Sequence, residues 1–134
     1  MRAFIDSNVV VYAFSTDRRA SVALTLLDTA AAIGVQTLNE FVYASRRRGG
    51  REWAEIEQHL ARLRRLFPAP VPLDLAVHEA GIRVAREHRL QLWDGMIVGA
   101  ALVSGCDVLW SEDMHHGLVI EDQLRILNPF AAVH

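Results

Sequence analysis

The chain has 134 residues, of which 51% are hydrophobic and 22% charged, and its formal net charge is −2. This length suits one domain with its own core, so we expect a single domain over residues 1–134. No apolar run reaches the about 18 residues that cross a bilayer, and Asp6 follows Met1 too closely for a signal peptide. The single cysteine, Cys106, excludes an internal disulfide framework and is typical of a reducing cytoplasm. Lysine is absent, which excludes a P-loop.

Hydrophobic periodicity alternates between strand-like and helix-like segments along the chain. The predicted elements are, in chain order, a strand at residues 2–5, a helix at 17–31 capped by Thr16 or Asp17, a strand at 35–38, a helix from 39 to 48, a helix at 56–67, a helix from Asp74 to His88, a buried helix at 94–104, and strands at 107–110 and 124–127. Strands that alternate with helices form a parallel sheet with helices on both faces. We therefore predict an α/β fold with a mainly parallel sheet of about four or five strands.

Four acidic residues stand beside these apolar segments: Asp6, Glu40, Asp94 and Asp113. Asp6 follows the first strand directly, Glu40 follows the second by two residues, and Asp113 follows the third by three. The carboxyl ends of parallel strands lie at one edge of a sheet, and the helix that begins near Asp94 starts at the same edge. The topology therefore predicts that the four carboxylates converge. Oxygen ligands favour Mg²⁺ or Mn²⁺, and such a site can orient and polarise a phosphate for phosphodiester hydrolysis.

Each of these acids also has an ordinary structural explanation. Asp94 fits a helix N-cap, Asp6 with Asn8 fits an Asx turn that enters the next helix, and Asp113 fits a turn. Glu40 is harder to explain in this way, because glutamate is a poor N-cap. The metal site is favoured only by the four residues together.

Five short stretches stand in order along the chain: Ile5-Asp6-Ser7-Asn8, Leu38-Asn39-Glu40-Phe41, Trp93-Asp94-Gly95-Met96-Ile97, Trp110-Ser111-Glu112-Asp113-Met114-His115-His116-Gly117 and Ile126-Leu127-Asn128-Pro129-Phe130. Their order and spacing resemble the PIN-domain nucleases, specifically the VapC-type toxins of bacterial VapBC toxin–antitoxin pairs. The resemblance extends over the whole chain.

The resemblance implies a PIN fold and a cytoplasmic, Mg²⁺- or Mn²⁺-dependent endoribonuclease that a small cognate antitoxin inhibits, with a homodimer as the expected assembly. It assigns metal binding and catalysis to the four acids Asp6, Glu40, Asp94 and Asp113. Asn8 and Ser111 become supporting polar residues. Either Glu112 or Asp113 can supply the fourth ligand, and the sequence leaves that choice open. Gly95 stands where the resemblance leads us to expect alanine.

Three consecutive arginines, Arg46, Arg47 and Arg48, end the helix that carries Glu40. They can bind RNA phosphates, or they can serve only the electrostatics of the helix end, which is the simpler interpretation.

Several other functions compete with the toxin interpretation. A signalling receiver domain also has an acidic pocket on an α/β sheet, but that family uses a lysine, which this chain lacks. A dehalogenase-type phosphatase needs Asp-x-Asp after the first strand, where this chain has Asp6-Ser7-Asn8. A PIN-fold RNA-processing nuclease that is not a toxin, and a PIN fold that binds without cutting, stay as alternatives. The acids alone do not distinguish RNA from DNA.

Overall fold

The computed structural model of the chain describes residues 1–30 and 32–131. Its elements are β1 (Ala3–Ile5), α1 (Ser7–Ala13), α2 (Ala20–Thr29), α3 (Val35–Arg47), α4 (Trp53–Leu66), α5 (Leu75–His88), α6 (Leu92–Val103), β2 (Val108–Trp110), β3 (Val119–Ile120) and β4 (Leu124–Leu127). These strands form one sheet in the order β1-β2-β4-β3. β1, β2 and β4 are parallel, and β3 pairs with β4 in the antiparallel sense. The predicted α/β fold with a mainly parallel sheet is confirmed.

Helices cover both faces of this sheet, because successive side chains of each strand point to opposite sides. In β1, Phe4 packs into a core cluster that includes residues of α5 and α6, such as Val84 and Ile97. The next residue, Ile5, packs into a second cluster with residues of α1 to α4, such as Phe41. Burial of both faces is the reason that the strands read as continuous apolar runs. Within the described ranges, no helix is long and apolar enough to cross a membrane.

The predicted strand at residues 35–38 is wrong, because these residues form the first turn of α3. Gly34 has an extended backbone and precedes the helix, and its N–H donates to the hydroxyl of Thr37 at 3.2 Å. The chain adds only isolated parallel bridges here, from Ala32 to Phe4 and from Gly34 to Val71. The β-branched residues Val35 and Thr37 suggested a strand, but burial along one side of a helix overrode that propensity.

Other differences from the sequence prediction are smaller. The helix predicted at 17–31 forms as α2, but Arg19 is the N-cap residue, while Asp17 accepts a hydrogen bond from the Arg19 N–H at 2.8 Å. Residue 31, the predicted end, lies outside the described residues. The prediction named neither α1 as a helix nor the two-residue strand β3. The turn after β3 has positive φ at Glu121 and Asp122, where no glycine marks it.

Glycines allow α5 and α6 to pack very closely, and this packing positions the start of α6. A Cβ atom at Gly95 would lie 2.7 Å from the carbonyl oxygen of Gly81 and 3.0 Å from the Cβ of Ala85. A Cβ at Gly99 would lie 2.7 Å from the Gly81 nitrogen. The expected alanine at position 95 would therefore push the two helices apart. Because Asp94 directly precedes Gly95, this contact places the backbone next to Asp94 against α5.

Candidate active site

The register of the two central strands places Asp6 beside Ser111. Ile5 is the register partner of Trp110 in the parallel pair β1–β2, so the next residue of each strand leaves the sheet at the same edge. The Asp6 N–H donates to the Trp110 carbonyl at 3.0 Å, and the Ser111 hydroxyl donates to Asp6 Oδ2 at 2.7 Å. The predicted strand-end positions of Asp6 and of the segment with Asp113 therefore lie side by side.

Asp6 is a buried carboxylate, with only 2% of its surface exposed. Its Oδ1 accepts the N–H of Ser7 at 2.6 Å, and the Asn8 amide approaches its Oδ2 at 3.4 Å. Burial raises the pKa of Asp6 from 3.8 to about 7, and the charges of Glu40 and Asp94 act in the same direction. The hydrogen bonds from Ser111 and Ser7 oppose that rise. Asp6 also caps α1, so the structural and chemical explanations of this residue are compatible.

Glu40 reaches this edge from the second turn of α3 and not from the end of a strand. Its Oε2 accepts the side-chain amide of Gln36 at 3.0 Å, and its Oε1 accepts the hydroxyl of Ser7 at 3.2 Å. Burial raises the pKa of Glu40, with further contributions from the charges of Asp94 and Asp113. Ser7 therefore links the carboxylates of Asp6 and Glu40 across the sheet edge.

Asp94 and Asp113 complete the group from two further elements. Asp94 is the third residue of α6, where Gln91 is the N-cap residue, so Asp94 does not cap the helix. Burial raises the pKa of the Asp94 carboxyl, and the charge of Asp113 raises it further. Asp113 is exposed and stands in the loop after β2. Each of the four carboxylates thus has at least one of the others among its electrostatic neighbours.

The carboxylate of Glu112 contacts Tyr12 and Arg19. Its Oε1 accepts the phenol hydroxyl of Tyr12 at 2.7 Å, and its Oε2 lies 3.2 Å from Nε of Arg19. Its backbone N–H donates to Asn8 Oδ1 at 3.3 Å. The hydrogen bond to Glu112 raises the pKa of Tyr12 to about 12. These contacts attach the loop after β2 to α1 and to the segment before α2.

A cavity of about 750 Å³ opens at this edge of the sheet. Residues of α1, of α3, of the α5–α6 turn with the start of α6, and of the loop after β2 form its walls. The lining includes Glu40, Asp94, Glu112 and Asp113, whereas Asp6 is buried behind its contacts with Ser7 and Asn8. Across residues 1–30 and 32–131, no three His, Cys, Asp or Glu side chains stand in an arrangement that could hold a metal ion.

The three consecutive arginines have different surroundings. Arg46 donates to the carbonyl of Arg51 at 2.9 Å and lies over the ring of Trp53, and Arg47 donates to the hydroxyl of Tyr43 at 2.7 Å. Of the three, Arg48 lines the cavity.

Sequence reasoning did not identify several side chains that shape the cavity. Gln36 donates to Glu40 from one helical turn away, and recognising α3 at its true start would have revealed that spacing. Tyr12 and Arg19 hold Glu112 from about a hundred residues away, and no local signal indicates such a contact. Arg89 lines the cavity and has a left-handed backbone conformation at the end of α5. The sequence does not indicate this conformation.

The profile of the PIN domain family matches residues 3–117. The chain belongs to the PIN domain family. The PIN resemblance drawn from the five sequence stretches is therefore confirmed, and the family is one of nucleases.

Solved structures of similar fold cover nearly the whole chain. One is a toxin–antitoxin complex from Klebsiella pneumoniae, with a TM-score of 0.71 and 20% identity over 95% of this chain and 97% of that one. Another is VapBC2 from Rickettsia felis bound to a DNA fragment from its promoter, with a TM-score of 0.64 and 15% identity over 96% and 98%. A comparison with curated protein sequences found no match. At these identities, the structural similarity establishes the shared fold.

Proposed function

We propose that this PIN domain is a divalent-metal-dependent endoribonuclease and the toxin of a toxin–antitoxin pair, acting in the cytoplasm. The observation that carries the proposal is the convergence of Asp6, Glu40, Asp94 and Asp113 from four different elements at one edge of the sheet, beside a cavity of about 750 Å³. The proposed cofactor is Mg²⁺ or Mn²⁺, the proposed substrate is RNA, and the proposed domain extends over residues 1–134.

The donor set fits a hard cation. Within the described residues, none of these four carboxylates forms an ion pair with an arginine. Burial and mutual repulsion raise the pKa values of Asp6, Glu40 and Asp94. Acids that repel one another without a basic partner favour a bound cation. Because no three of them stand in a ligating arrangement, their side chains would have to move closer together to hold the ion. When bound, the ion would polarise the scissile phosphate and stabilise its developing charge.

Asp113, and not Glu112, is proposed as the fourth acid. Both oxygens of Glu112 are engaged, one by Tyr12 and one by Arg19. Asp113 contributes its charge to Glu40 and Asp94 and lines the cavity beside them. Glu112 therefore acts as a positioning residue that holds the loop after β2 against α1.

The remaining polar residues orient the acids. Ser111 and the backbone N–H of Ser7 each donate to one oxygen of Asp6, which fixes the plane of its carboxylate. Gln36 and the Ser7 hydroxyl hold the two oxygens of Glu40. Asn8 bridges Asp6 and the backbone of Glu112. Glu40, Asp94 and Asp113 line the cavity, and we propose that one of these carboxylates accepts the proton of the attacking water.

The toxin role is supported by the two toxin–antitoxin assemblies that share the fold over nearly the whole chain. We propose a small cognate antitoxin as the protein partner and a homodimer as the assembly. A PIN nuclease that processes RNA without a toxin role would share the acids, and only a growth assay distinguishes the two.

The decisive experiment combines growth and RNA cleavage. The chain would be expressed alone and together with the small protein encoded beside it, as wild type and as Asp94→Asn. We expect growth arrest by the wild type alone, relief by the neighbouring protein, and no arrest by Asp94→Asn. The purified wild type should cleave RNA with Mg²⁺ or Mn²⁺ and stop when a chelator is added.

Other outcomes would contradict particular parts of the proposal. Toxicity that Asp94→Asn does not change would refute the nuclease function. Cleavage of RNA without any effect on growth would leave a processing nuclease. Cleavage of DNA alone, or hydrolysis of phosphate monoesters alone, would change the substrate class.

A further inference from the structure

The acidic cavity also carries basic and aromatic side chains that the proposed metal site does not use. Arg48 lines the cavity from the end of α3, and Arg89 lines it from the α5–α6 turn. Both are exposed, and within the described residues neither forms an ion pair with a carboxylate. Two unpaired guanidinium groups in a cavity that also contains acids are available to an anionic ligand.

Trp93 is the aromatic counterpart of these arginines. It directly precedes Asp94, lines the same cavity, and keeps 56% of its surface exposed. The other two tryptophans have different surroundings: Trp53 lies under Arg46 at 5.0 Å, and Trp110 is partly buried in β2 beneath the helices. Trp93 is therefore the tryptophan whose indole is presented beside the carboxylates.

Two walls of the cavity repeat the same combination of side chains. The α3 wall carries the acid Glu40, the aromatic Tyr43 and the cation Arg48. The wall formed by the α5–α6 turn and the start of α6 carries Arg89, Trp93 and Asp94. The ring of Tyr43 is already covered by Arg47, whose guanidinium lies 5.7 Å from the ring centre. Trp93 is thus the stronger candidate for contact with a ligand.

We propose that Trp93 stacks on an unpaired base of the RNA strand while Arg48 and Arg89 bind its phosphates. This inference rests on the proposed nuclease function and specifies how its substrate is held. Single-stranded RNA presents base faces for stacking, and guanidinium groups bind phosphate oxygens in a bidentate manner. In a duplex the base faces are already stacked on one another, so Trp93 selects an unpaired segment.

The chain supplies matched controls for each residue. Trp53→Ala is the control for Trp93→Ala, since Trp53 is 53% exposed but does not line the cavity. Arg46→Gln is the control for Arg48→Gln, because Arg46 stands two residues away in the same helix end and binds the Arg51 carbonyl. Trp93→Phe keeps an aromatic face at the position and should retain part of the stacking.

The test measures the binding of a short, fluorescein-labelled, single-stranded RNA of randomised sequence by anisotropy. All variants would be made in an Asp94→Asn background with Mg²⁺, so that the RNA is not cut. We expect Trp93→Ala to weaken binding between about 5-fold and about 100-fold and Trp53→Ala to leave it unchanged. Arg48→Gln and Arg89→Gln should each lower the slope of log affinity against log salt by about 0.7, and Arg46→Gln should not. A duplex of the same composition should bind more weakly than the single strand.

Cleavage by the otherwise wild-type chain separates this inference from the nuclease proposal. Trp93→Ala should raise KM with little change in kcat, since stacking holds the substrate equally in the ground and transition states. If the wild type cleaves RNA while Trp93→Ala and Arg48→Gln keep its KM and affinity, the binding inference is overturned and the nuclease proposal stands. If the same variants lose only the complex with the neighbouring small protein, these side chains bind that partner and the inference also fails. Circular dichroism of each variant verifies that it is folded.

Discussion

Replacing Asp6 by asparagine should remove catalysis and at the same time stabilise the metal-free protein. Asp6 is buried, and its pKa is raised from 3.8 to about 7. At pH values between about 4 and about 7, Asp6 is therefore protonated in the folded state to a greater extent than in the unfolded state. The sign follows from linkage: this carboxyl lowers the free energy of unfolding as the pH rises from about 4 to about 7.

The magnitude follows from the difference of about 3 pH units. Each unit corresponds to about 1.4 kcal/mol, so ionised Asp6 destabilises the metal-free fold by about 4 kcal/mol at pH 8. Asparagine is neutral at every pH and can still accept the Ser7 N–H through its carbonyl oxygen. In the wild type the Ser111 hydroxyl donates to Asp6, whereas in the variant the asparagine amide must donate to that hydroxyl. This reversal of the hydrogen bond lowers the free energy of unfolding by at most about 1–2 kcal/mol. The variant should gain about 2–3 kcal/mol at pH 8.

Urea unfolding between pH 5 and pH 8 with a chelator present measures this difference. The advantage of Asp6→Asn should grow by up to about 1.4 kcal/mol per pH unit below pH 7 and then level off. Asp28→Asn, an exposed position on α2, serves as the control and should change stability by less than about 0.5 kcal/mol at every pH. If Asp6→Asn were no more stable than the wild type at pH 8, the reasoning from burial and repulsion would be refuted.

Three further predictions concern the same site. Added Mg²⁺ should raise the melting temperature of the wild type at pH 8, and the rise should become smaller towards pH 6. The reason is that protons compete with the ion for acids whose pKa values are raised. An equal rise in melting temperature for Asp6→Asn would show that the ion binds elsewhere. Glu112→Gln should lower the pKa of Tyr12, which absorbance titration measures. It should reduce RNA cleavage less than about 10-fold, whereas Asp113→Asn should abolish cleavage. A larger loss of cleavage in Glu112→Gln than in Asp113→Asn would make Glu112 the ligand. Gly95→Ala should destabilise the fold by about 1–3 kcal/mol in chemical unfolding, since its Cβ would meet Gly81, while a gain of up to about 1 kcal/mol would mean that helix propensity alone governs this position.

The parts of the fold that were predictable have strong local signals. Asp74 caps α5 by accepting the Val77 N–H at 3.0 Å, as its position before an amphipathic segment suggested. Residues 95–102 are buried all along α6, and the sequence shows them as an unbroken apolar run. The end of β1 at Asp6 was equally clear, since a charge terminates the apolar segment.

The parts that failed depend on contacts distant in sequence. Residues 35–38 contain Val35 and Thr37, which favour a strand locally, yet Thr37 is buried at the start of α3 and donates to the Ile5 carbonyl at 3.4 Å. Strand β3 has only two residues, and the turn after it uses positive φ at two acidic residues. The role of Glu112 depends on Tyr12 and Arg19, which no spacing rule connects to it.

Residues 35–38 form a helix and not the predicted strand, yet Glu40 still lies at the predicted edge of the sheet. The reason is the direction of the chain. Ala32 pairs with Phe4 in the parallel sense, so the segment before α3 runs beside β1 in the direction of that strand. A helix that starts at Val35 therefore begins at the same edge at which Asp6 leaves the sheet, and Glu40 lies five residues beyond its first residue. The Ser7 hydroxyl, which lies within hydrogen-bonding range of both carboxylates, provides the physical link. Convergence thus depends on chain direction at the sheet edge, and it holds whether a strand or a helix delivers the residue.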